Sequence, residues 1–176
     1  MTRYLISAIV LLIYQSGFTQ DKWVSKDLDS IITIQLPENT VYSVKDELGT
    51  YTSTTSSCIF FTTVQCSTNP NYAEFIKLPQ EKQDDLIEEL LDKTMNGAVM
   101  RSGNENIPSG KIHVGKYSGR EAAWNTQNPV KGGSSYKFTQ ILYTPNKLYY
   151  FQCMYLKGDA KSQTEKNRYF ESIKTW

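Results

Sequence analysis

Histidine is almost absent: the chain has one, His113. A metal site built on histidine or cysteine needs several ligands converging, and no CxxC or HxxxH spacing occurs to supply them. A serine or cysteine nucleophile needs a histidine base beside it, so every such triad would have to use His113. No GxSxG is present to place a serine on an elbow. No GxxxxGK[ST] or GxGxxG is present either, so nucleotide phosphates have no cradle. Charge of one sign is also scarce. The formal net charge is +1, and nucleic acids or anionic membrane surfaces require a clustered basic face that this chain does not offer. No Asn-x-Ser/Thr acceptor occurs.

Long apolar runs are confined to the beginning. Arg3 precedes the apolar stretch Tyr4–Tyr14, and Gln15-Ser16-Gly17-Phe18-Thr19 follows with small and polar residues. That is the layout of a secretory signal peptide, with cleavage before Gln20. The stretch is too short for a bilayer crossing of about 20 residues. The expectation is an exported protein, periplasmic or secreted, with a leader over 1–19, one domain over 20–176 and no stable membrane anchor.

Cysteine is sparse at three residues: Cys58, Cys66 and Cys153. Export permits disulfides. Cys58 and Cys66 sit on one extended run, about 26 Å apart, beyond disulfide reach. Any bridge must therefore include Cys153, with either of the others. The reading carried forward is three buried thiols acting as small apolar groups.

What is abundant is β-branched and aromatic sequence, including twelve tyrosines. Strands are expected at Ile31–Leu36 (stopped by Pro37), Val41–Val44, Cys58–Cys66, Lys111–Val114, Arg120–Asn125, Tyr136–Tyr143 and Lys147–Leu156. Gln20–Ser30 reads as a polar entry segment. The Tyr51–Ser57 run reads as a strand edge facing water. A short helix is expected at Tyr72–Lys77. A main helix follows Pro79 and runs to about Arg101, with Leu86, Ile87, Leu90, Leu91, Thr94 and Ala98 as its core stripe. Asp84, Asp85, Glu88, Glu89 and Asp92 form its solvated face. Gly115–Gly119 reads as a turn, and Asn104–Ser109 and Asn128–Ser135 as loops. Ser162 with Glu165 reads as a capping box, opening a helix that carries Tyr169, Phe170, Ile173 and Trp176 on one face. The fold class is α+β: an antiparallel sheet covered by helices.

These features together resemble the PsbP-like family, named for an extrinsic protein of photosystem II. The resemblance rests on the strand ending at Pro37, the aromatic strand, the amphipathic helix Leu86–Met100, the run Gly119-Arg120-Glu121-Ala122-Ala123, and the closing hairpin with Tyr169-Phe170-Glu171-Ser172-Ile173. Thr40-Val41 stands where the family often has an aromatic. The resemblance implies an α/β/α sandwich around an antiparallel sheet, and a binding or assembly role rather than an enzymatic one. Fold alone predicts no reaction.

The functional expectation is an exported, non-enzymatic binding or assembly domain without cofactor or metal. Its partner would be another protein or a small ligand. The recognition elements would be the aromatic closing hairpin or the two loops. The alternatives are a small exported hydrolase using His113 or an acid pair, and an inhibitor-type protein. His113 alternates with Ile112 and Val114 and is expected to face outward. Glu121 is read as an edge-strand charge paired with Arg120 or Lys111. The aromatic sets Tyr149-Phe151-Cys153-Tyr155 and Leu148-Tyr150-Gln152-Met154-Leu156 must face opposite ways, and both are expected to be core.

Overall fold

The computed structural model describes residues 22–45, 48–66, 71–128, 130 and 132–176, with the backbone alone for Cys66. The expected leader lies outside the described residues. Among them, no helix is long and apolar enough to cross a membrane.

The chain is α+β and its sheets are antiparallel. A large sheet comprises β3 (Val41–Lys45), β4 (Leu48–Thr54), β5 (Cys58–Cys66), β6 (Gly110–Val114), β7 (Tyr117–Gln127), β8 (Ser134–Thr144) and β9 (Lys147–Tyr155), in the spatial order β3-β4-β5-β9-β8-β7-β6. A small sheet has the order β1-β2-β10, from Trp23–Asp27, Ile32–Pro37 and Lys174–Thr175. Three helices, α1 (Tyr72–Phe75), α2 (Gln80–Arg101) and α3 (Ala160–Glu171), complete the described elements.

Strand alternation decides what each helix covers. Leu148 on β9 and Ile141 and Tyr143 on β8 bury against Leu91, Met95 and Val99 of α2, with Trp124 of β7. The opposite parity, Tyr149, Phe151 and Cys153 with Leu142, buries against Tyr169 of α3 and Ile32, Ile34 and Leu36 of β2. Of the two aromatic sets of the closing hairpin, Tyr149, Phe151 and Cys153 enter the core beneath α3, whereas the other set sends only Leu148, with Tyr150 packed beside it, into the core beneath α2, and Gln152, Met154 and Leu156 are half-buried outside both.

Several elements differ from the sequence reading. The entry segment contains β1, which pairs with β2 from Trp23↔Pro37 to Asp27↔Thr33. The Ser/Thr run does not face water from an edge. β4 lies between β3 and β5, and Ser53, Thr55 and Ser57 are buried. Of these hydroxyls, Thr55 Oγ1 finds backbone partners, accepting from the N–H groups of Ser57 and Cys58, while those of Ser53 and Ser57 have no partner among the described residues. The stripe on α2 is rotated. Its ridge is Ile87-Leu91-Met95-Val99, stepping by four, while Leu86 is 46% exposed. The cap of α3 is Asp159, whose Oδ1 accepts from the Ser162 N–H at 2.8 Å. Glu165 instead reaches the core edge and accepts from Thr55 Oγ1. Trp176 leaves the α3 face altogether, because Lys174–Thr175 forms β10, and it is 80% exposed.

The β6–β7 connection is tighter than expected. Only Gly115 and Lys116 separate the paired residues Val114 and Tyr117, and Gly115 has φ +58°. Gly119 is therefore within β7, not in a turn. A Cβ there would lie 2.4 Å from the Ile141 carbonyl oxygen and 3.0 Å from Ile112. Only glycine lets the strands approach so closely.

Candidate functional site

α3 and the small sheet cover β5 and β9 but leave the outer strands of the same face open. Gly119 stands opposite Leu142, Glu121 opposite Gln140, and Ala123 opposite Phe138. Leu142 is core beneath α3, so Glu121, Ala123, Phe138 and Gln140 share its face by alternation. Beyond Tyr117, which packs on that core, the β7 residues on this face are small or polar, and no helix covers them. The result is a cleft of about 520 Å³ between β7–β8 and the flank of α3, walled by Lys166, Asn167, Phe170 and Glu171 and lined also by Pro108 and Gly110.

The floor is aromatic. Phe138 packs on Tyr155 with centroids 4.8 Å apart and on Tyr136 at 6.1 Å. Lys166 Nζ lies 4.8 Å from the Phe138 centroid, a cation–π contact that anchors the one ammonium in the cleft. Tyr155 donates to Gln163 Oε1 at 2.6 Å. Burial pushes its phenol up to about 12, with the two neighbouring cysteines adding to the effect. The rim is acidic. Glu121 accepts from Gln140 Nε2 at 3.1 Å, and Glu171 has no hydrogen bond or ion pair among the described residues. Both carboxylates are exposed.

Glu121 is thus not paired with Arg120 or Lys111. Strand alternation sends Arg120 to the α2 face, where its Nη2 donates to Glu88 at 2.7 Å and its Nε to Asp92 at 2.6 Å. Lys111 joins at Glu88, 2.7 Å away. Hydrogen bonds from Arg120 and then Lys111 hold the Glu88 carboxyl down at about 2, against the opposing effect of burial. Arg120 is 2% exposed, so the solvated face expected for α2 is in part a charged seam against the sheet.

His113 is exposed on the outer strand β6, opposite Ser118. Its register puts it on the α2 face with Arg120, away from the cleft. Cys58 and Cys153 are buried beneath α3, so the structure does not bring His113 to either thiol. Among the described residues, no group of three or more His, Cys, Asp or Glu side chains is arranged to hold a metal ion. A sequence scan against protein-family models matches nothing, and a search of curated proteins finds no match. The site must be read from its own geometry.

That geometry suits a ligand with an apolar body and polar or cationic edges. The body would seat on Ala123 and Phe138 and against Phe170. The edges would meet Gln140, Asn167 and the rim carboxylates. Of the expected recognition elements, the closing hairpin contributes Phe138 and Gln140 of β8. The 104–109 loop contributes Pro108, while none of the described residues of the 128–135 loop lines the cleft. Lys166, Asn167, Phe170 and Glu171 were not foreseen as a site. In the sequence, Phe170 is legible only as part of one helix face with Tyr169, Ile173 and Trp176, and nothing singles out Lys166, Asn167 or Glu171.

Proposed function

We propose that this chain is an exported, non-enzymatic binding or assembly domain of PsbP-like architecture, and that it recognises its partner through the cleft between β7–β8 and α3. The observation that carries this reading is the cleft itself: an aromatic floor, a pinned ammonium and two exposed carboxylates in one concavity. Binding sites are commonly concave and apolar, with a few placed polar groups. Helices on opposite faces of an antiparallel sheet support the architecture. The leader-like start of the sequence supports export.

One observation favours a second reading, a hydrolase. Glu121 and Glu171 line the same cleft, and glycoside hydrolysis uses two carboxyls flanking the scissile bond. That chemistry also requires one of them to be shielded so that it stays protonated as the acid. Both are at the exposed rim, which favours recognition over acid–base work. The test is an assay of esterase, peptidase and glycosidase substrates with the wild type, His113→Ala, Glu121→Gln and Glu171→Gln. The proposal expects no turnover in any of the four. Turnover lost in Glu121→Gln or Glu171→Gln would establish the acid pair, and turnover lost in His113→Ala would establish a histidine-based hydrolase.

A further inference from the structure

Cys58 and Cys153 are both fully buried and both carry free thiols. In the β5–β9 ladder, Cys58 stands opposite Tyr155 and Cys153 opposite Phe60. The two cysteines are therefore diagonal neighbours on one face of adjacent antiparallel strands. Diagonal Cα atoms lie about 7–8 Å apart, with Cβ atoms nearer, and the right-handed twist of a sheet draws one diagonal closer than the other. Here the two thiols are close enough that Cys58 adds to the burial that pushes the Cys153 thiol up. Cys58 Sγ also donates to the Ser162 carbonyl oxygen of α3 at 3.5 Å.

The ladder also settles which cysteine is excluded. Cys66 stands opposite Lys147, at the far end of β9 from Cys153. At about 3.3 Å per residue, that places it roughly 20 Å from the Cys153 rung, out of disulfide reach.

We propose that Cys58 and Cys153 form a disulfide joining β5 to β9 in the oxidised protein, leaving Cys66 as the odd thiol. The oxidant class is a small-molecule or protein disulfide, such as oxidised glutathione. One protein thiolate attacks its S–S bond, forming a mixed disulfide and releasing one thiol. The second protein thiolate then attacks the mixed disulfide, forming the Cys58–Cys153 bond and releasing the other thiol. Two electrons pass from the protein to the oxidant, and the two protein protons end on the two released thiols. Both thiols lie beneath α3, so exchange takes place before α3 docks or when it lifts. Burial pushes the Cys153 thiol up, which keeps the docked, reduced pair unreactive.

The test is to refold the full chain in oxidised and reduced glutathione, quench with acid, alkylate free thiols, digest and weigh the peptides. The expected result is a cross-linked peptide holding Cys58 and Cys153, an alkylated Cys66, and reversal on adding dithiothreitol. The oxidised form should melt roughly 5–15 °C higher than the reduced one. Cys66→Ser, which leaves both core thiols in place, should still form the bridge. Three alkylated thiols in the oxidised wild type would overturn the proposal. So would any bridge that contains Cys66.

Discussion

Arg120 shows how one side chain's neighbours decide what a substitution costs. The guanidinium is buried while its partners are not: the side chains of Glu88 and Asp92 are 29% and 53% exposed. Removing the arginine leaves two carboxylates that water can reach. Removing both carboxylates leaves a cation with no compensation, which is the expensive case. Arg120→Met is therefore expected to cost about 1–2 kcal/mol and Glu88→Gln/Asp92→Asn about 3–5 kcal/mol, read from urea unfolding. The reverse order would mean that the guanidinium is solvated. The same seam sets an acid limb. Glu88 is held at about 2 against an ordinary 4.5. A depressed carboxyl stabilises the fold above its unfolded value, and that contribution fades as pH falls from about 4.5 towards 2. Asp29 acts in the same direction. Burial opposes its charge, but hydrogen bonds from Lys147, Tyr149 and the Ile31 and Ile32 N–H groups outweigh this and hold it below its usual range. Glu88→Gln should flatten part of the acid limb in melts taken from pH 6 to pH 2, and an unchanged limb would contradict the pairing. Sequence alone pointed Arg120 at its neighbour Glu121. Adjacent strand residues face opposite ways, so that pairing was unavailable once both lay on β7.

Helix α2 carries the lesson at the scale of an element. Its existence and span were legible, since capping by Pro79 and apolar periodicity place it at Gln80–Arg101. Its phase was not. The sequence stripe ran over Leu86, Ile87, Leu90, Leu91, Thr94 and Ala98, with Leu90 mid-stripe and Glu88 and Asp92 outside. The structure turns the helix so that Leu91, Met95 and Val99 are buried, and Glu88 and Asp92 reach Arg120 at the margin. Two acids one turn apart have a reason to face the sheet only if a buried cation awaits them, and that cation lies some thirty residues further along the chain. Met95→Asp is expected to destabilise by 3 kcal/mol or more, roughly, because it buries an unpaired charge. Leu86→Asp should change stability by no more than about 0.5 kcal/mol. Equal thermal melts for the two variants would show that the phase is wrong. The β4 misreading has a similar origin. Serine and threonine suggest solvent, yet this strand lies between β3 and β5, with Ser53 buried and Thr50 Oγ1 bonded to Thr63 Oγ1 across the ladder.

At the scale of the whole molecule, the architecture was legible because local signals agreed. Hairpins were marked by Asn146 and by Gly115, alternation fixed both faces of β9, and two amphipathic helices required two surfaces to cover. The cleft was not legible, because it is a product of incomplete coverage. Nothing in Glu121 or Ala123 records that α3 stops short of β7, and nothing in Lys166 records that Phe138 lies beneath it. Only the fold brings β7, β8 and α3 together. The proposed role of this concavity is to bind the partner. Its most direct test is a small-fragment screen spanning amphipathic amines, carboxylates and sugars, followed by amide NMR titration of the wild type and of Ala123→Trp. Ala123 is exposed on the cleft floor, so tryptophan should fill the space without unfolding the domain, and an unchanged melt would confirm that. Fragments are expected to shift the amides of Ala123, Phe138, Gln140 and Phe170 in the wild type, and to lose binding at least tenfold in Ala123→Trp. Fragments that bind Ala123→Trp as tightly as the wild type, or whose shifts cluster elsewhere, would contradict that role.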